Sequence, residues 1–89
     1  MIIRYTHEFL RLLKKKNVRI RKSVKNSINE FAKNPDSPIL KNHSLKREWA
    51  GYSSINVTSD YRAIYKEIRH ADEMIIYFTT IGTHKELYK

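Results

Sequence analysis

Four side chains in the second half of the chain carry groups suited to proton transfer and anion binding. Asp60 and Arg62 stand two apart in Ser-Asp-Tyr-Arg, and His84 and Tyr88 stand four apart in Ile-Gly-Thr-His-Lys-Glu-Leu-Tyr-Lys. His43, Trp49 and Asn56 stand behind them as further candidates. An imidazole titrates near neutral pH and can pass a proton in either direction. A guanidinium holds a phosphate through paired N–H bonds and steadies developing negative charge. Tyr52, Tyr61, Tyr88 and Trp49 offer faces on which an unpaired base can stack. RNA cleavage needs little more, because the substrate brings its own nucleophile, the 2′-hydroxyl. Each residue also has a plain structural reading: Asp60 as a turn residue, Arg62 as a solvated cross-strand partner, His84 as surface decoration, Tyr88 as packing for the tail.

Other chemistries fit poorly. Two glycines cannot build a phosphate-cradling loop, and no Gly-x-Ser-x-Gly elbow is present. The four histidines lack the short paired spacing of a zinc site, and without cysteine there is neither a thiolate metal site nor a disulfide. The expectation is a reaction needing no metal and no small-molecule cofactor.

The elements that must position these groups can be read from periodicity. Ile2 to Tyr5 is a β-branched and aromatic run, a first strand, and Thr6 then caps a helix whose apolar stripe is Phe9, Leu12 and Leu13. The pattern breaks near Lys16-Asn17, where Asn17 reads as a turn or C-cap residue. Ile20, Val24, Ile28, Phe31 and Ala32 line one face of a second helix, and Asn34-Pro35 ends it. Beyond Pro38 the period becomes two. Strands are expected over Leu45–Trp49, Tyr52–Thr58, Tyr61–Ile68 and Met74–Ile81, with Gly82 as the stop. The chain, residues 1–89, therefore reads as a single α+β domain: an N-terminal strand, a basic two-helix hairpin, then a mostly antiparallel sheet of three to four further strands. The hairpin would cover one sheet face and leave the other open and partly polar. Paired as a hairpin, the last two strands would bring Asp60, Arg62 and His84 to one edge of the sheet.

Charge is concentrated on that helix hairpin. From His7 to Lys33 nine Lys/Arg face two Glu, supplying +7 of the net +9. Lys14, Lys15 and Lys22 belong to this set, which attracts a polyanionic partner or simply forms a solvated face. No run approaches the ~20 apolar residues of a membrane span, and the opening residues do not form a signal peptide. A soluble cytoplasmic protein with no membrane partner is expected.

The stretch H-S-L-K-R-E-W-A-G-Y-S-S-I-N-V-T-S-D-Y-R-A-I-Y, followed by I-G-T-H-K-E-L-Y, resembles the RelE/ParE superfamily of toxins from bacterial type II toxin–antitoxin systems. The pattern is closest to the RelE/YafQ-like mRNA interferases, and the likeness covers nearly the whole chain. It implies a microbial-RNase-like fold, cleavage of mRNA on the ribosome, and a cognate acidic antitoxin as partner. By this resemblance His84 is the catalytic residue near the C-terminus and Tyr88 the accompanying aromatic. Asp60 is the acidic residue of the site, Arg62 its phosphate-binding arginine, and His43 the histidine just before the Leu-x-Gly motif. Lys46, Arg47, Trp49 and Asn56, with Lys14, Lys15 and Lys22, complete the expected substrate-binding set. The chain departs from the pattern at Arg47 and Ser53, where relatives commonly carry Gly and Arg, at Ser59, where a Gly is frequent, and at Asn56, where YafQ-like members carry a second histidine. Two further readings stay open: a ParE-like gyrase inhibitor that shares the fold but cuts no RNA, and a passive basic RNA-binding module.

Overall fold

Side-chain caps decide where the helices begin. In the computed structural model, which describes residues 1–88, the Thr6 hydroxyl accepts from the Phe9 N–H at 3.1 Å and starts α1, His7–Lys14. Asn17 does the same for α2, Val18–Lys33: its Oδ1 accepts from the Ile20 N–H at 2.9 Å. Asn17 is thus the N-cap of the second helix rather than a C-cap of the first. The first helix is closed instead by Lys15, whose N–H donates to the Leu12 carbonyl, and an Asn side chain can open a helix as readily as close one.

Around them the order is β1 (Ile2–Tyr5), α1, α2, a 3₁₀ turn (Pro38–Leu40), β2 (His43–Ser44), a second 3₁₀ turn (Arg47–Trp49), β3 (Tyr52–Asn56), β4 (Tyr61–His70), β5 (Glu73–Thr83) and α3 (His84–Leu87). The five strands form one sheet in the order β1-β5-β4-β3-β2. β1 runs parallel to β5 after the helical crossover, and the other pairs are antiparallel. The expected α+β architecture is therefore present, with four strands after the helices. Among the described residues no helix is long and apolar enough to cross a membrane.

The core lies between the helix hairpin and one sheet face. Phe9, Val24, Ile28 and Phe31 from the helices meet Ile55, Ala63, Tyr65, Ile76, Phe78 and Ile81 from the strands, all buried. Phe78 is its hub, with ring centroids 5.5–6.1 Å from those of Tyr5, Phe9, Phe31 and Tyr65. A bulge near Thr79 shifts the β4–β5 register, so that Ile64 faces Thr80 while Tyr65 faces Phe78. The bulge lets Phe78 and Ile81, three residues apart, both reach the core. It is pinned on both sides: Thr6 Oγ1 donates to the Thr79 carbonyl at 2.9 Å, and Thr79 Oγ1 donates to the Ile64 carbonyl at 3.0 Å.

Three expectations need correction. Leu45–Trp49 is not a strand: the strand here is only His43–Ser44, and Arg47–Trp49 coils into a 3₁₀ turn entered at a positive φ of 56° for Arg47. Gly82 does not stop the last strand, which runs through Thr83. Nor is the second sheet face open throughout, for Ser54 and Ile64 on it are fully buried while Lys66 and Ile68 are exposed. The second correction has a clear physical cause, since α3 lies directly on β5. A Cβ at Gly82 would come within 3.2 Å of Glu86 Oε1 and 3.3 Å of Leu87 Cγ. Glycine is used here for close approach, not for termination.

Candidate active site

The second sheet face carries the site, and strand register sets its spacing. Asn56 pairs with Arg62 across β3–β4, and Arg62 pairs with Gly82 across β4–β5, so the three lie side by side. One residue beyond the ladder the His84 N–H donates to the Asp60 carbonyl at 3.1 Å. Thr83 then caps α3 in a reciprocal box: its hydroxyl accepts from Glu86 N–H at 3.2 Å, and Glu86 Oε1 accepts from Thr83 N–H at 2.8 Å. This box turns the chain so that His84 opens the helix and Tyr88 follows one turn later, with ring centroids 4.7 Å apart. The tail is tied down by Trp49, whose indole N–H donates to the Leu87 carbonyl at 3.0 Å.

A cleft of about 530 Å³ opens in front of this face. Arg62, Asn56, His84 and Tyr88 line one part of it, and Lys41, His43, Leu45 and Lys46 the other. The sheet thus brings together six of the residues singled out from sequence: His43, Lys46, Asn56, Arg62, His84 and Tyr88. Arg62 is held firmly, with Nη1 donating to the carbonyls of Thr58 (3.1 Å), Ser59 (3.2 Å) and Tyr61 (3.1 Å). Those bonds use only one end of the fork, so Nη2 and Nε carry no partner among the described residues and remain as donors for an anion. His43 Nδ1 lies 2.8 Å from the Lys41 carbonyl. A carbonyl only accepts, so Nδ1 carries the proton and Nε2 is the position that can take one.

The remaining candidates lie elsewhere. Asp60 does not line the cleft: it sits exposed in the β3–β4 turn and meets His84 through its backbone carbonyl. Arg47 and Trp49 border a neighbouring groove of about 460 Å³, with Lys46 and Tyr88 shared between the two. Lys14, Lys15 and Lys22 stay on the helix hairpin, and Lys14 borders an apolar groove between α1 and α2. Lys41 was missed. It adopts a left-handed conformation (φ 46°) after the first 3₁₀ turn, and its only sequence signal is its place two residues before His43.

Three cations, two imidazoles, an amide and a phenol surround one open cleft, an arrangement able to bind an anion and move a proton. The architecture matches that of small bacterial toxins of the RelE class. A YoeB/ParE toxin from Agrobacterium tumefaciens superimposes with a TM-score of 0.75 at 18% identity, covering 94% of this chain and 99% of that one. YafQ from E. coli superimposes with a TM-score of 0.72 at 26% identity, covering 98% and 97%. The E. coli DinJ–YafQ toxin–antitoxin complex gives 0.64 at 26% identity, covering 98% and 96%. No curated protein sequence matches the chain. The family model described as bacterial toxin of type II toxin-antitoxin system, YafQ, matches residues 1–89, and the chain belongs to that family.

Proposed function

We propose that this toxin is a ribosome-dependent mRNA endonuclease that cuts by attack of the substrate 2′-hydroxyl on the adjacent phosphate. The observation that carries the reading is the meeting of His43, Arg62, His84 and Tyr88 in one cleft. His43 accepts the 2′-hydroxyl proton at Nε2 as the new O2′–P bond forms. Arg62 takes the charge that builds on the non-bridging oxygens, using its free donors. His84 gives a proton to the departing 5′-oxygen as the P–O5′ bond breaks. Tyr88, its ring tilted against that of His84, orients the nucleotide. The products are a 2′,3′-cyclic phosphate and a 5′-hydroxyl, and the reaction needs neither a metal nor a cofactor.

Asp60, off the cleft, is assigned to positioning: its carbonyl holds the His84 backbone. A gyrase inhibitor would have no use for two imidazoles beside an arginine, so the nuclease reading is preferred. A cognate acidic antitoxin is the expected restraint in the bacterial cytoplasm, and the basic helix hairpin suits it electrostatically. The test is cleavage of mRNA on programmed ribosomes. Wild type should cut, and His84→Ala should lose roughly 10²–10⁴-fold in rate, the usual contribution of a general acid. An absence of cutting, or an undiminished rate in the variant, refutes the assignment.

A further inference from the structure

A second groove, of about 570 Å³, opens on the far side of β3, and its chemistry differs from that of the cleft. One wall is α2, which presents Ser23, Asn26, Ser27 and Glu30, and the floor includes buried Leu40. Those four polar residues recur at i, i+3, i+4 and i+7, a single stripe of the helix. Arg19 and Lys33 continue this row beyond its two ends, yet no Lys or Arg lines the groove itself. In a chain of net charge +9 that is a specific exclusion. Asn56 lines both this groove and the cationic cleft, so the two adjoin at the end of β3.

Cations hold phosphates, whereas amides, hydroxyls and carboxylates over an apolar surface read base edges. We infer that the α2–β3 groove is a base-reading subsite for a nucleotide flanking the scissile phosphate of a single-stranded RNA. It selects a base with an exocyclic amine, adenine, cytosine or guanine, over uracil. Glu30 accepts from that amine. Asn26 offers an amide that can pair with a neighbouring ring nitrogen. Glu30 also repels phosphate, which keeps the backbone in the cationic cleft and turns the base towards α2. Asn56 stands at the junction, where the strand passes from one compartment to the other. The inference rests on the nuclease reading and adds to it the source of sequence preference.

The experiment compares cleavage of ribosome-bound mRNAs that differ only by A or U at either nucleotide flanking the cut. Wild type should favour the amine-bearing base by about tenfold, the discrimination expected of one good polar contact pair. The double variant Asn26→Ala/Glu30→Ala should bring that ratio close to one while still cutting, with an unchanged melting temperature as the folding control. A wild-type ratio near one at both flanks, or a ratio the double variant keeps, overturns the inference and leaves the nuclease reading standing. If wild type cuts nothing, the nuclease reading fails, and amide shifts in the His84→Ala protein decide the subsite. The probes are ApApA and UpUpU. Shifts at Ser23, Asn26, Ser27 and Glu30 with ApApA, exceeding those with UpUpU, support it. Shifts confined to Lys41–Lys46 and Arg62, or none at all, overturn it.

Discussion

Trp49→Phe separates two roles for an aromatic residue beside the cleft. Four-residue α3 carries His84 and Tyr88 yet is far too short to be stable alone. It is held by the Thr83–Glu86 box, by Leu87 on Gly82, and by the 3.0 Å bond from the Trp49 indole to the Leu87 carbonyl. Phenylalanine keeps an aromatic ring edge-on to Tyr52, where the Trp49 centroid now lies 5.4 Å away, and deletes only the donor. One such bond contributes about 1 kcal/mol net, which at 25 °C is roughly a fivefold change in an equilibrium. The Tyr88 amide, bonded to the His84 carbonyl at 3.0 Å, reports whether the helix is closed. Its hydrogen exchange should therefore accelerate about fivefold in the variant. The cleavage rate should fall by no more than that factor, through kcat, because fewer molecules hold His84 in place. If Trp49 instead served by stacking a base, KM would change and Tyr88 exchange would not, and the tethering argument would be wrong.

Two further perturbations probe the scaffold. Tyr65 donates from its buried hydroxyl to Asn42 Oδ1 at 2.8 Å, and Asn42 in turn donates to the Pro35 carbonyl at 3.0 Å, fastening the loop that leads to His43. Tyr65→Phe should lower Tm by roughly 4–8 °C, as expected for a loss of about 1 kcal/mol in a domain of this size. Burial raises the Tyr65 phenol above its ordinary 10.0. The unfolded chain therefore ionises first, so this stabilisation is complete below pH 10 and fades as pH rises through the folded-state value. Thermal melts above pH 10 should fall less steeply in Tyr65→Phe than in wild type. Phe78→Ala removes the hub shared by four aromatic rings. A loss of about 3–5 kcal/mol is comparable to the whole stability of a small domain, so urea titration by circular dichroism should find little or no folded baseline.

The helices were legible because their signals are local. Phe9, Leu12 and Leu13, and then Ile20, Val24, Ile28 and Phe31, repeat at helical spacing, and Thr6 acts only three residues away. Strands β3, β4 and β5 were legible for the same reason. The span Leu45–Trp49 was not, because its shape depends on an indole reaching a carbonyl 38 residues further along the chain. Gly82 misled for a related reason: glycine as a stop and glycine as a close-approach residue look alike until α3 is seen lying on it. At the site, pairing of the last two strands was enough to bring Arg62 near His84. It also drew in Asp60, since parity within the turn does not say whether the backbone or the carboxylate meets the neighbour. Lys41 stayed invisible because a left-handed residue after a 3₁₀ turn has no periodic signature.

These placements also explain how the cleft residues can differ from those the resemblance implies. The aromatic core occupies one sheet face and the cleft the other, and β3 and β4 contribute to both. Along those strands alternate residues serve alternate tasks: Ile55 and Ala63 pack, while Asn56 and Arg62 face the cleft. A change on the cleft face therefore alters chemistry without opening a cavity in the core. That freedom accommodates Asn56, where the resemblance leads one to expect a histidine, at the junction between the cationic cleft and the groove lined by Glu30. An amide at this position cannot shuttle a proton at neutral pH, but it can hydrogen-bond a base or sugar from either side. In the proposed mechanism proton transfer then falls to His43 and His84, the two imidazoles that line the cleft, and Asn56 is assigned to recognition rather than to the chemical step.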